Sequence, residues 1–172
     1  MLFILIPGII LVALMVYAST RIKKIAAAAF EAETIETDDF VIQKPDGFLH
    51  VLNGDPKYAF ETYSKEYGND STGERLGRVN LTIRKGGTVD EVVAGLTASN
   101  GEILEDLTEM IGAKRYRIIE TKRNKNDVGL NIIHRIAAKA ENIYVVEAIR
   151  LSEASNEFTR KIEGFIGSFE LK

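Results

Sequence analysis

The chain has 172 residues, 45% of them apolar and 27% charged, with 25 acidic against 22 basic side chains, a net charge of −3 and no cysteine. Without cysteine there is no disulfide, thiolate nucleophile, cysteine-ligated zinc or lipid on sulfur. Without a basic excess there is no electrostatic footprint for nucleic acid, and the apolar fraction suits one folded domain better than a disordered chain or two domains.

Residues 1–18 carry no charged side chain, and the run ends at Arg21, Lys23 and Lys24. A helix over this run rises by about 26 Å, slightly less than the ~30 Å of a hydrocarbon core. Ser19 and Thr20 extend it, Tyr17 suits an interface, and the three basic side chains can reach lipid headgroups. A retained anchor accounts for the run better than a cleaved signal, because no positive residue precedes it, although Val16-Tyr17-Ala18 offers small residues at the spacing of a cleavage site. A buried core helix fits least, since the segment is apolar all round. The expected organisation is a transmembrane helix or signal-anchor over 1–20, a helical stalk and linker over 21–39, and a folded domain over 40–172. This places the protein in the cell membrane as a single-pass protein, and basic residues after the helix favour the cytoplasmic side for the domain. Arg21, Lys23 and Lys24 are candidate membrane-border contacts with the bilayer, worth about 1 kcal/mol each near anionic lipid.

The alanine-rich stretch 22–32 continues the helix, and the acidic stretch 31–39 reads as a connector. Phe40-Val41-Ile42 and residues 48–52 flank Lys44-Pro45-Asp46-Gly47, where Pro presets φ and Gly accepts a positive one, so a short hairpin is expected. A turn at Asn53-Gly54-Asp55-Pro56 precedes a strand-like stretch over 58–67. Over 77–85, Val79, Leu81 and Ile83 alternate with polar residues, which marks a strand with one buried and one wet face. Thr88 and Glu91 form a capping-box pattern before a helix with Val89, Val92, Val93 and Leu96 on one stripe. A second capping pattern, Ser99 to Glu102, precedes Ile103, Leu104, Leu107 and Ile111, so a broken helix is expected to run as far as Gly112.

Strands over 116–122, 128–138 and 143–151 follow, separated by short polar turns, and predict an antiparallel meander. Ser152 or Ser155 caps a last helix whose Phe158, Ile162, Phe165 and Ile166 share a stripe, with an extended end over 168–171. This order calls for an α+β class: an antiparallel sheet flanked by helices, preceded by the single N-terminal transmembrane helix. The order and the ending Phe158-x-x-x-Ile162-x-x-Phe165-Ile166-x-Ser168-Phe169 resemble the PsbP-like superfamily, which includes bacterial envelope proteins. The resemblance covers roughly residues 40–171. It implies a curved antiparallel sheet used for protein contacts, in a superfamily not generally enzymatic, and leans towards an outward-facing domain. Its motif consists of packing residues, so it carries over no functional residue.

The chemistry-bearing residues form no catalytic set. His134 falls in register with the apolar Val128, Leu130, Ile132 and Ile136 and reads as a satisfied, partly buried histidine, while His50 lies beside a turn. Ser64-Lys65 lacks a nucleophile signature, Gly86-Gly87 lacks a phosphate-loop pattern, and Asp38, Asp39, Asp46 and Asp55 lack cation-loop spacing. No catalytic, cofactor-binding or metal-binding residue is assigned, and no cofactor is expected. Arg115, Arg117, Lys122, Arg123 and Lys125 line one strand and its hairpin end; they are candidate contacts for an acidic partner, against the plainer reading of a solvated edge that resists strand-to-strand aggregation. The leading expectation is a membrane-tethered, non-enzymatic binding or scaffold domain with a protein partner and no nucleic acid. A small-ligand receptor or enzyme with its site between sheet and helices, and a structural subunit of a membrane complex, are the alternatives.

Overall fold

The structure is a computed structural model that describes residues 2–68, 74–99, 102–125 and 127–172, with residues 2–10 as backbone only. Helix α1 (Leu2–Ala28) leads into β1 (Glu33–Glu36), β2 (Phe40–Lys44), β3 (Phe48–His50), β4 (Phe60–Ser64) and β5 (Gly77–Lys85). Then come α2 (Val89–Ser99), β6 (Glu102–Ile111), β7 (Lys114–Lys125), β8 (Val128–Lys139), β9 (Asn142–Leu151), α3 (Asn156–Gly167) and β10 (Glu170–Leu171). The strands make a three-stranded sheet, β1-β2-β10, and a seven-stranded sheet, β3-β4-β5-β9-β8-β7-β6. Every pairing within them is antiparallel.

Residues 11–28 of α1 are exposed on all sides, including Leu11, Val12, Leu14, Met15 and Tyr17. Among the described residues no helix is long and apolar enough to cross a membrane. The side chains of residues 1–10, half of the span expected over 1–20, lie outside the described residues, so the described part of α1 gives that span no support.

Three local expectations change. The acidic connector contains β1, because Thr37 reverses the chain: its N–H donates to the Phe40 carbonyl at 2.9 Å, and its Oγ1 accepts from the Phe40 N–H at 3.1 Å. That turn hands residues 33–36 a partner in β2, with Ile35 opposite Ile42. Secondly, β2 and β3 do not form a hairpin. Gly47 adopts φ 80° as expected, but the turn passes the chain from one sheet to the other. Thirdly, the second half of the expected broken helix is the edge strand β6. Its pairing with β7 overrides the local helical pattern. A bulge between Ile103 and Glu105 breaks the alternation, while Asp106–Arg117 and Glu109–Arg135 ion pairs tie the edge inward.

The main core lies on one face of the large sheet. Phe48, Phe60, Val79, Leu81, Tyr116, Ile133 and Val146 pack under Phe158, Ile162, Phe165 and Ile166 of α3, and Phe40, Ile42 and Leu171 of the small sheet, with Phe169 just before β10, close it. The α3 stripe is therefore the one read from its spacing, and Ser155 caps it, accepting from the Phe158 N–H at 3.2 Å. Gly77 lets α3 approach the sheet: a Cβ there would lie 2.9 Å from the Phe158 ring. On the opposite face α2 sits over Ile119, Ile136, Ile143 and Val145. The capping box at its start is present as read, with the Glu91 N–H donating to Thr88 Oγ1 at 3.2 Å and the Thr88 N–H to Glu91 Oε2 at 3.0 Å. This helix covers one end of its face and leaves the other end open.

Candidate functional site

The open end is a cavity of about 450 Å³. Side chains alternate across a strand, and the pairings place Arg123, Leu130 and Leu151 in one row. Tyr63, Arg78, Ile149 and Ile132 lie in the next row of the same face. Val128, Leu130, Ile149 and Leu151 make an apolar floor between two charged banks.

The first bank is partly neutralised and stiff. Arg78 Nη2 donates to Glu61 Oε1 at 2.5 Å, and its Nε donates to Asn80 Oδ1 at 3.0 Å. The Arg75 guanidinium lies 4.7 Å from the Tyr63 ring centroid and 4.0 Å from that of Tyr67. Its Nη1 donates to the Ser64 and Lys65 carbonyls at 3.1 and 2.8 Å, so stacking and hydrogen bonds both hold it. The second bank is Arg123 and Lys125. Among the described residues neither has a carboxylate at ion-pair distance, and Arg123 Nε is buried without a hydrogen-bond partner.

The five basic residues singled out by sequence thus separate. Arg115, Arg117, Arg123 and Lys125 share the cavity's face, and Lys122 points from the other one. Arg117 is held by Asp106, Nη2 to Oδ2 at 2.7 Å, and Arg115 is exposed towards the far end of β7. Only Arg123 and Lys125 line the cavity. Arg75, Arg78, Glu61 and Tyr63 were missed, because they come from β4, β5 and the preceding segment, and only the polar face of β5 signalled any of them. Arg21, Lys23 and Lys24 are exposed on α1. The space between the large sheet and α3 is filled by the main core, which removes support for a ligand site there.

Beyond the floor a polar pair crosses from β8 to β9. His134 is fully buried, with Nε2 donating to Glu147 Oε2 at 3.1 Å, while its Nδ1 has no partner among the described residues. The expected satisfied histidine is therefore satisfied at one nitrogen only. The bond from His134 holds the Glu147 carboxyl below its usual value of 4.5; burial opposes this, and the charges of His134 and Arg78 reinforce it. A carboxylate with a depressed folded-state pKa stabilises the fold above its unfolded value and loses that contribution as pH falls through the folded one. Glu147→Gln should accordingly destabilise the protein near neutrality. The gap from the natural chain should close below about pH 4, read as urea midpoints across an acid series. His50 lies on the other side of the molecule, 5.0 Å from the Phe60 ring centroid and 3.9 Å from a Glu33 carboxylate oxygen. Among the described residues no three His, Asp or Glu side chains are grouped closely enough to hold a metal ion.

No family model matches the sequence, and no curated protein matches it. Solved structures do. The chain is similar to cyanobacterial PsbP (CyanoP) from Synechocystis sp. PCC 6803, with a TM-score of 0.57 and 12% identity over 83% of this chain and 92% of that one. It is similar to LpqN of Mycobacterium tuberculosis, described as involved in cell envelope biogenesis, with a TM-score of 0.58 and 8% identity over 83% and 91%. It is also similar to the Saccharomyces cerevisiae Ran-binding protein Mog1p, with a TM-score of 0.55 and 12% identity over 83% and 96%. The two-sheet α+β architecture with α3 packed on the large sheet is thus the PsbP-like fold, and this chain has it.

Proposed function

We propose that the protein is a membrane-tethered, non-enzymatic binding domain that receives an acidic segment of a protein partner at the open end of its large sheet. The observation that carries this reading is the pair Arg123 and Lys125, two cations without carboxylate partners among the described residues, beside an apolar floor. Unneutralised cations next to apolar surface favour a ligand that brings both negative charge and apolar contact. The likeness to a protein described as Ran-binding lends support to a protein partner. In this reading Arg115 widens the positive field, while Arg117 and Lys122 contribute less, one neutralised by Asp106 and the other on the opposite face. Residues 1–20 supply the tether, Arg21, Lys23 and Lys24 meet the headgroups, and the domain faces the cytoplasm, all on the strength of the uncharged run and its basic border.

Crosslinking the full chain in its native membranes tests the reading. A specific protein should be recovered with the natural chain, and Arg123→Glu with Lys125→Glu should cut that recovery at least tenfold. Recovery of only lipid and the chain itself would overturn it. Retention in membranes through alkaline washing, with the domain protected from protease in intact cells, tests the tether and its side.

A further inference from the structure

The two banks of the cavity differ, and the difference specifies what fits between them. At one bank Arg78 is matched by Glu61, and Arg75, though without a carboxylate at ion-pair distance among the described residues, is already held by two tyrosine rings and two backbone carbonyls, so an incoming charge gains less there. At the other bank Arg123 and Lys125 have no acidic partner among the described residues, so a carboxylate gains most there. From β7 to β5 the sheet takes three strand steps, through β8 and β9, or about 14 Å at ~4.8 Å per step. An extended peptide rises ~3.4 Å per residue, so about four residues cross that distance, and its alternate side chains face the floor.

We infer that the cavity takes an extended peptide of the pattern acid-x-apolar-x-apolar. The acid sits against Arg123 and Lys125, the first apolar residue lies on Leu130 and Ile149, and the second reaches the stem of Arg78 on β5, at the near edge of the first bank. This deepens the partner reading above and rests on it. The floor residues Val128, Leu130 and Ile149 are half-buried rather than sealed, as a surface that buries a partner side chain requires. The orphan Nε of Arg123 supplies a donor that a carboxylate satisfies, and a buried donor gains most from being paired.

Fluorescence anisotropy on the full chain in neutral phosphatidylcholine nanodiscs tests this with the labelled peptide Ser-Glu-Ser-Leu-Ser-Leu-Ser. Binding should weaken at least tenfold when both leucines of the peptide become serine. It should weaken at least tenfold when its glutamate becomes lysine, and again with Arg123→Ala and Lys125→Ala in the protein. Equal binding of the leucine-free peptide would mean undirected charge attraction and would overturn the inference. Absence of binding would overturn it as well, even where crosslinking still recovers a partner through Arg123 and Lys125, and that outcome leaves the partner reading standing. Dodecyl phosphate binding more tightly than the peptide and displacing it would assign the cavity to a lipid anion instead. The peptide substitutions are read on the natural chain, so the result does not depend on whether the protein variant folds.

Discussion

Phe48→Ala is expected to lower the unfolding free energy by about 3–5 kcal/mol and the melting temperature by roughly 10 °C, among the largest effects available to one substitution in this chain. Phe48 is fully buried at the start of β3. Its ring stacks on Phe158 with centroids 5.8 Å apart and meets Phe165 edge-on at 5.4 Å. Truncation therefore removes the transfer energy of a large side chain, two aromatic contacts and the filling of a space between β3 and α3 that rigid neighbours cannot close. The backbone of β3 cannot sink to compensate, because its pairing with β4 sets its height in the sheet. Urea denaturation measures the loss. Leu52→Ala serves as the control: Leu52 is 76% exposed, and its truncation should change stability by no more than about 0.5 kcal/mol.

The second large effect belongs to a polar side chain. Lys44 is 2% exposed, and its ammonium donates to the carbonyls of Glu31 and Phe48, the latter at 2.9 Å. Lys44→Met keeps the stem's volume and removes the donor, so at least one buried carbonyl is left unpaired, at a cost of about 1–3 kcal/mol. The loss should be localised. The Gly47 N–H donates to the Phe30 carbonyl at 2.7 Å, and the Lys65 N–H to that of Gly47 at 2.7 Å; both amides should exchange with solvent faster in the variant. Burial lowers the pKa of Lys44 below its ordinary 10.5, with the charges of Glu33, Asp46 and Glu31 acting the other way. Between the folded and unfolded values the unfolded chain holds more protons, so stability from this group rises with pH on the alkaline side. Lys44→Met should flatten that rise, read as urea midpoints from about pH 8 to pH 10.

Elements whose signals are local were readable before any coordinates. β5 spans Gly77–Lys85 as its alternation indicates, with Val79 and Leu81 buried, although Ile83 is exposed and Asn80 is buried on the face read as wet; the Thr88–Glu91 box starts α2, and the stripe Phe158, Ile162, Phe165, Ile166 is the buried face of α3. β6 was not readable. Ile103, Leu104, Leu107 and Ile111 occupy helix-like spacings because an exposed edge strand has no wholly buried face to enforce alternation, and its bulge shifts the phase partway along. The turn at Pro45-Asp46-Gly47 announced a reversal but not which sheet the next strand would join, since turn chemistry is local and sheet choice is decided by the distant β10 and β4. The site divided the same way. Charge density along β7 pointed to Arg123 and Lys125. Their alignment with Tyr63, Arg75 and Arg78 depends on a register across five strands that no short window contains.

The clasp around the end of α1 carries a geometric consequence. Hydrogen bonds from Ala29, Phe30 and Glu31 back to Ile25, Ala27 and Ala28 continue the helical turn right up to the carbonyls that Gly47 and Lys44 hold, so no free swivel separates helix from body. The azimuth of the open sheet face about the helix axis is then a function of helix length. One residue inserted between Arg21 and Ala28 turns that face by about 100°, and seven return it to within about 20° of where it began. The count of alanines in this stretch sets a direction as well as a distance.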